Sequence, residues 1–547
     1  MTEKIHWADQ IAHDVKERVQ SDDTLKKIVR KHGYIVLDEK TPSGTIHIGS
    51  GRGWVIHDAI AKAMRDVNMK GRFILSSDDM DPMDKLPAYL DKSYESYMGM
   101  PFRNIPSPVE GYQSYADYYF MQCVEKFEEW GIQAEIESTG RLYESGAFNE
   151  SIKTILNNSH LVKNIFERIY EKQYDKVPFN PICEKCGKIG TTLATKWDAE
   201  KECISYRCEK NLVTWAEGCG HEGTISPYNG NGKLPWKVEW AAKWISLGVV
   251  CEYAGKDHFT KKGSRDVAIA ISHEVLNFPP PHPSTATAIG QGYEFFTVGG
   301  KKMSTSKGQG VGFADISTVL PPRILRYLLI RTRIQAAVDF DPHRPNDVIL
   351  LFDRFDKTER IYFGKEKEEN EMDRESQKRI YELSHIGELP KKMPVQIPLS
   401  LAANTIQVGL SEQGAIKILQ TLGHMPQDLT GIDLHHAIER LRDAQQWITH
   451  FATDEYKFTI QDSPPHLDAS PSLKTALREI PNLVRKFKDE KQLHNAFYEM
   501  CTERSIDMKD FFRTAYQVLL NKEKGPRLAA FLIMLGDEKV SRLFSQL

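Results

Sequence analysis

The chain has no long hydrophobic run. Its longest apolar stretch near the C-terminus, Leu528 to Leu535, falls far short of the ~20 residues that cross a bilayer, so no membrane span is expected. The opening Met1-Thr2-Glu3-Lys4-Ile5-His6-Trp7 lacks an apolar signal core, which reads as a cytoplasmic chain. Excess charge of one sign is also lacking. The 72 Lys and Arg against 75 Asp and Glu leave −3 over 547 residues. This excludes a uniformly basic polyanion binder but leaves room for a basic face. Cysteine is scarce, eight in all, too few for a disulfide scaffold in a chain of this length. Sequence repeats and low-complexity tracts are missing. What is present is an ordinary globular composition, with 24 Phe, 21 Tyr and 9 Trp for a sizeable core. The length holds about three or four domains at ~100–200 residues each.

Trp7, Ile11, Val15 and Val19 recur every fourth residue and predict an opening amphipathic helix. Tyr34-Ile35-Val36-Leu37 predicts a strand, Thr41-Pro42-Ser43-Gly44 a turn, and the periodicity from His47 to Met64 a helix. A second buried strand is predicted at Phe73-Ile74-Leu75, ending in the acidic Asp78-Asp79-Met80-Asp81. Further strand signals stand at Val249-Val250 and near Phe295-Phe296-Thr297-Val298. Strands alternating with helices predict an α/β domain with a parallel sheet. Residues 101–232 interrupt this pattern with helices over Tyr115 to Trp130 and Glu150 to Lys172, followed by a cysteine-rich segment. After about Asp341 the texture becomes helical and charged, punctuated by Pro-containing stretches at 389–398 and 463–471.

Two short motifs carry chemistry. In Pro42-Ser43-Gly44-Thr45-Ile46-His47-Ile48-Gly49-Ser50, a strand-to-helix turn presents free N–H groups to a phosphate. Gly44 and Gly49 let a nucleotide approach the backbone, and His47 can donate to a phosphate oxygen as charge develops. A Gly-bracketed turn with a chance His fits this motif alone equally well. The second, Lys301-Lys302-Met303-Ser304-Thr305-Ser306-Lys307-Gly308, is a cationic, hydroxyl-rich loop between glycines. Its lysines are suited to a departing pyrophosphate, although most such runs are solvated basic loops.

Five of the cysteines crowd between Cys183 and Cys219. Cys183-Glu184-Lys185-Cys186 has the two-residue gap that lets both thiolates reach one tetrahedral ion. Cys183, Cys186, Cys208 and Cys219 are the expected ligands of a structural Zn²⁺, with His221 as the alternative fourth and Cys203 as the spare. Reduced thiols without metal are the other reading.

The first motif resembles the HIGH signature of class I aminoacyl-tRNA synthetases, with Ser50 in place of the last His, and the second resembles KMSKS, written KMSTS here. His6-Trp7-Ala8-Asp9, Asp78-Asp79-Met80-Asp81-Pro82, Lys85-Leu86-Pro87, Gly255-Lys256-Asp257-His258, Tyr293-Glu294-Phe295 and Phe352-Asp353-Arg354-Phe355-Asp356-Lys357 further resemble the class I lysyl-tRNA synthetase family. The resemblance covers residues 6 to about 363. It implies a Rossmann-like, doubly wound catalytic domain in two halves, 1–100 and 233–345. These enclose an acceptor-binding region at 101–232 with a zinc module at 178–225. It further implies connecting stem-contact helices at 346–400 and an all-α anticodon-binding domain at 401–547. Lysine would be activated by ATP with Mg²⁺ and passed to the terminal ribose of tRNA(Lys). The implied catalytic residues are His47, Lys302, Ser304, Ser306 and Lys307. ATP would be held by both motifs, Thr305 and Met303 included. Lysine would be held by Gly44, Thr45, Trp236, His258, Tyr293 and Glu294, with Asp257 and Glu239 as alternative acids and Trp236 and Trp240 as alternative core residues. Some relatives carry Cys and His ligands where this chain has Gly111, Tyr112, Tyr118 and Tyr119, so a second zinc is not expected.

Basic clusters at Lys391-Lys392 and at Arg485-Lys486 with Lys488 suit phosphate contacts in the C-terminal half, without marking any anticodon-reading residue. A monomer is expected. Competing readings are another class I synthetase (for glutamate, glutamine, arginine or cysteine), a small-molecule nucleotidyltransferase, or a synthetase-like tRNA-binding protein without catalysis.

Overall fold

The computed structural model describes residues 5–284, 291–302, 312–318 and 320–547. They divide into two compact units. One comprises Met1–Ser317, Pro322–Phe340 and Lys367–Leu389; the other comprises Thr318–Pro321, Asp341–Glu366 and Pro390–Leu547. The stretch 346–400 is thus shared. Its helix Glu371–Ser384 packs on helices Ile48–Asp66 and Pro322–Arg331 of the first unit, where the buried Arg326 guanidinium donates to Leu383 O and pairs with Asp58 at 2.6 Å.

The first unit is built on a parallel sheet. Its strands β1 (Tyr34–Lys40), β2 (Gly71–Ser77) and β3 (Ala134–Ser138) lie in the order β3-β2-β1, with strand Val249–Cys251 on the far side of β1. All pairings are parallel. Ile35, Val36 and Leu37 are buried on both faces, as strands of a helix-covered sheet are. The chain winds outward through β2 and β3 and then returns to the other side of β1. This is the doubly wound arrangement, and it places a switch point at the carboxyl end of β1. β3 is Ala-Glu-Ile-Glu-Ser and closes one edge. One bulky apolar residue among acids is too little for periodicity to mark.

The opening helix Trp7–Ser21 buries Ile11, Val15 and Val19, as their spacing predicts. Both helical stretches of the inserted region are broken, one into Tyr115–Val124 and Phe127–Trp130, the other at Asn158 into Asn149–Asn157 and Ser159–Tyr170. The cysteine-rich segment forms a separate antiparallel sheet of Thr192–Asp198, Cys203–Cys208 and Glu222–Ile225. A third sheet pairs Phe296–Val298 with Lys301–Lys302 and, in parallel, with Val338–Asp339.

In the second unit every regular element among the described residues is helical, from Pro345–Tyr362 to Leu528–Phe544. Leu477, Ile480, Phe497, Phe511, Leu519 and Leu532 make up much of its core. Its buried Arg440 pairs with both carboxylate oxygens of Asp356, at 2.9 and 2.7 Å. No described helix is long and apolar enough to cross a membrane.

Candidate active site

At the switch point, the carboxyl ends of β1 and β2 and the segment after Val249–Cys251 enclose a cavity of about 780 Å³. β1 and its turn supply Asp38, Glu39, Lys40, Thr41 and Ser43. The turn after β2 supplies Asp78, Asp81 and Asp84. Helix Trp236–Leu247 supplies Trp236, Glu239 and Trp240, and Glu252, Tyr253, His258 and Tyr293 complete the wall.

The first motif sits at its rim. His47 is the N-cap of helix Ile48–Asp66 in extended conformation, bridged to Gly312. Ser50 N–H donates to His47 O at 3.0 Å, so Gly49 and Ser50 form the helix's first turn, with its free N–H groups and positive dipole end beside the cavity. Gly44 has φ +154 and lies under Tyr89, whose hydroxyl would stand 2.5 Å from a Cβ there. The same hydroxyl accepts Thr45 N–H at 2.7 Å. Tyr115 donates to Ser43 O at 3.1 Å. Pro42 is buried at the start of the turn.

Arg52, buried one turn into the helix, was not marked by the sequence. Its guanidinium donates to the carbonyls of Glu294, Phe295 and Ala336 at 2.7, 3.0 and 2.7 Å. It therefore fastens the first motif to the strand Phe296–Val298 that leads into the second. Lys302 lies on the strand antiparallel to that one. Met303, Ser304, Thr305, Ser306 and Lys307 fall outside the described residues.

Of the expected lysine contacts, Trp236, His258 and Tyr293 do line the cavity. Trp236 is 47 % exposed, a wall residue rather than a core one, with its ring 6.1 Å from that of His258. Trp240 is buried and also lines the cavity. His258 is held by Ser264 Oγ at 2.8 Å, and burial lowers its pKa, which favours the neutral ring. Burial pushes the Tyr293 phenol well up, so it stays protonated. Glu294 is not among the lining residues. Its carboxylate is engaged by Lys256 Nζ at 2.8–2.9 Å. Asp257 is not among them either, whereas Glu239 is.

The cavity floor holds a network of charges that the sequence reading missed. Lys243 Nζ bridges Asp78 (2.7 Å) and Glu39 (3.1 Å). Lys233 pairs with Asp81 and, at 3.2 Å, with Glu239, whose Oε2 also accepts the Tyr143 hydroxyl at 2.6 Å. Glu252 accepts both the Trp240 and Trp244 indole N–H groups, at 2.8 and 2.5 Å, and faces Arg265 at 3.4 Å. Burial pushes the Glu39, Glu239 and Glu252 carboxyls up. Burial alone would lower the two lysines, but the carboxylates around them raise both. One signal was available: Lys243 in the apolar run Trp240-Ala241-Ala242-Lys243-Trp244. A lysine is almost never fully buried unless paired.

In the cysteine-rich module, the Sγ atoms of Cys183, Cys186, Cys208 and Cys219 all lie within 4.8 Å of one another. Cys183 and Cys219 are 3.6 Å apart, Cys186 and Cys208 3.7 Å. A tetrahedron with Zn–S arms of ~2.3 Å has edges of roughly 3.8 Å, so the donor set fits that ion. Cys219 N–H points at Cys208 Sγ at 3.3 Å, suited to a thiolate. Neither Cys203 nor His221 belongs to the group; His221 serves through its carbonyl, which accepts Cys208 N–H.

A switch-point cavity, a glycine-bordered helix N-terminus beside it and a lysine strand tied to that helix define a nucleotide-using α/β enzyme. The chain belongs to the class I tRNA synthetases: the family model described as tRNA synthetases class I (K) matches residues 5–387. It is 32% identical to the Lysine--tRNA ligase of Methanocaldococcus jannaschii over 99% of both chains. It is 29% identical to that of Methanosphaera stadtmanae over 98% of this chain and 99% of the other. It is 31% identical to that of Treponema pallidum over 99% and 98%.

Proposed function

We propose that this chain is a class I lysine–tRNA ligase. It joins L-lysine to ATP as lysyl-adenylate and then transfers lysine to the 3′-terminal ribose of tRNA(Lys), releasing AMP and diphosphate. The observation that carries the reading is the near full-length likeness to relatives named Lysine--tRNA ligase. A cavity walled by carboxylates and indoles, suited to a cationic, methylene-rich side chain, agrees with it.

In the first step a lysine carboxylate oxygen attacks the α-phosphorus and pyrophosphate departs. In the second the terminal 2′-hydroxyl attacks the lysyl carbonyl, its proton is lost and AMP departs. No covalent enzyme intermediate is needed. The residues act by position and charge. The N-terminus of helix Ile48–Asp66, with His47 as its cap, faces the triphosphate. Lys302 and Lys307, with Ser304 and Ser306, neutralise the leaving pyrophosphate. Mg²⁺ bound with ATP would supply charge screening for its phosphates. Cys183, Cys186, Cys208 and Cys219 would hold a Zn²⁺ whose role is structural, since four protein ligands leave no open position. The helical residues 401–547 read as the anticodon-binding part, and the enzyme as a cytoplasmic monomer.

The test is ATP–pyrophosphate exchange with each of the twenty amino acids, with and without tRNA, alongside Lys302→Ala. Exchange with lysine alone, abolished in the variant, is the expected result. Exchange with arginine alone would keep the chemistry and move the specificity. No exchange under any condition would leave a tRNA-binding protein.

A further inference from the structure

The geometry points to Asp38 as the residue that receives the ε-ammonium of the lysine substrate and thereby sets side-chain specificity. The inference rests on the reading of the chain as a lysine–tRNA ligase.

Every other buried or half-buried carboxylate lining the cavity has a cation of the protein beside it. Glu39 and Asp78 share Lys243, Asp81 and Glu239 share Lys233, and Glu252 faces Arg265. Asp84 is exposed. Asp38 stands on the central strand, 7 % exposed, and makes no Lys or Arg ion pair among the described residues. Lys40, two residues along the same strand, also lines the cavity. Burial lowers its pKa and the Asp38 charge draws it back up, but the two make no ion pair within 4.0 Å. The partners of Asp38 are the Glu39 N–H at 2.9 Å and His57 Nδ1 at 3.2 Å.

His57 does not cancel the charge. Its Nε2 accepts the Tyr253 N–H at 3.0 Å, so that nitrogen carries no hydrogen. The hydrogen sits on Nδ1, which also lies 2.7 Å from Gly53 O. The Asp38 carboxylate does draw the ring's pKa upward against its burial. A proton on Nε2 would nevertheless meet the Tyr253 N–H head on, and the ring is neutral in this arrangement. Among the described residues Asp38 therefore has no cationic side chain within pairing distance in a largely dry site, and a buried carboxylate lacking such a partner is costly.

The surroundings match the rest of a lysine side chain. At Gly53 a Cβ would meet the Tyr293 hydroxyl at 2.6 Å and Asp38 Oδ2 at 2.7 Å. The two polar groups thus converge on one spot, which glycine leaves clear. The Trp236, Trp240 and His258 rings line the same cavity, flat surfaces for the methylenes. With lysine bound, its ammonium supplies the cation at pairing distance that the described residues do not. A substrate of the same shape without the ammonium leaves Asp38 unpaired and is rejected for that reason.

The test compares wild type with Asp38→Asn and Asp38→Glu in ATP–pyrophosphate exchange, with norleucine as a competitive inhibitor lacking only the ε-ammonium. In Asp38→Asn the lysine KM is expected to rise by roughly 100-fold or more. The ATP KM and the melting temperature should hold, and norleucine should inhibit better than before, because the unpaired carboxylate that rejects it is gone. An equal loss for norleucine would place Asp38 at the α-ammonium and overturn the inference. So would an unchanged lysine KM, or a joint shift of the ATP KM and melting temperature. Should Asp38→Asn fail to fold, Asp38→Glu decides: a raised lysine KM with lysine still preferred to norleucine supports the inference, and an unaltered KM overturns it. Wild type that exchanges with no lysine overturns the underlying reading, and the inference with it.

Discussion

His6 illustrates how much a single buried side chain carries. Its Nδ1 accepts the Ala8 N–H and its Nε2 lies 3.0 Å from Ile330 O. Burial pulls its pKa from the usual 6.5 down to about 4. The unfolded chain takes up a proton at this ring below pH 6.5, and the folded chain refuses it until about 4. The stability contributed by the neutral ring is therefore full above 6.5, lost as pH falls through that window, and flat below it. At ~1.4 kcal/mol for each tenfold in proton affinity, the loss is about 3 kcal/mol. Glu39, Glu239 and Glu252, held up by burial, act in the opposite sense. The clean readout is therefore the difference between wild type and His6→Gln, which keeps a donor for Ile330 O. Wild type should be the more stable at pH 7.5, and denaturant titrations at pH 4.5 should show that gap narrowed by about 3 kcal/mol.

The same scale shows what single residues tell in advance. That Trp236, His258 and Tyr293 share one cavity was legible because short stretches resembling a known family carry them. Which cavity carboxylate stands without a lysine or arginine at pairing distance was not. Whether a carboxylate is available depends on which cation the fold brings to it. Lys256 meets Glu294 from 38 positions away, and Lys243 meets Asp78 from 165 away. Local spacing holds no information about such pairs. Gly51 and Gly53, one turn past the recognised motif, are another case. Their need for space is set by Phe313 and by Tyr293 with Asp38, residues remote in sequence.

Among the elements, the cysteine module was the most legible. Its chemistry is local: a two-residue knuckle closed by two later cysteines. The apolar core there is small, with Cys183, Tyr206 and Cys208 as its buried members, so metal would supply folding energy. Elemental analysis should find about one zinc per chain. Cys208→Ser should lose it and lower the melting temperature, whereas Cys203→Ser should keep both. The strands β1 and β2 were equally readable from their apolar runs. β3 and the helix breaks were not, because an edge strand with two glutamates and a turn at Asn158 leave no periodic mark.

For the molecule as a whole, the balance of 72 basic and 75 acidic residues means that tRNA is not drawn to the surface at large. We propose that binding depends on local basic clusters such as Lys391-Lys392, of which Lys392 is 77 % exposed at its side chain and paired with Asp433 at 2.5 Å. Raising salt should weaken tRNA affinity log-linearly. Replacing Lys391 and Lys392 together by Ala should make that slope shallower by about one for each phosphate left without its lysine, measured by filter binding across a salt series. The division into a mixed α/β unit and a helical unit was visible as a change of texture near Asp341. The assignment of Lys367–Leu389 to the first unit was not, since amphipathic helices look alike whichever core they cover.

The sheet order has a consequence for how the protein is made. β1 lies beside a strand that begins roughly 110 residues after β3 ends. While the ribosome lays down the inserted region, one flank of Ile35-Val36-Leu37 has no partner to pair with. At ~5–20 residues per second that interval lasts on the order of ten seconds. An open, apolar strand flank is the kind of surface on which nascent chains adhere to one another. Aggregation during synthesis, rather than loss of the finished enzyme, is where slowed translation between residues 139 and 248 would first be felt.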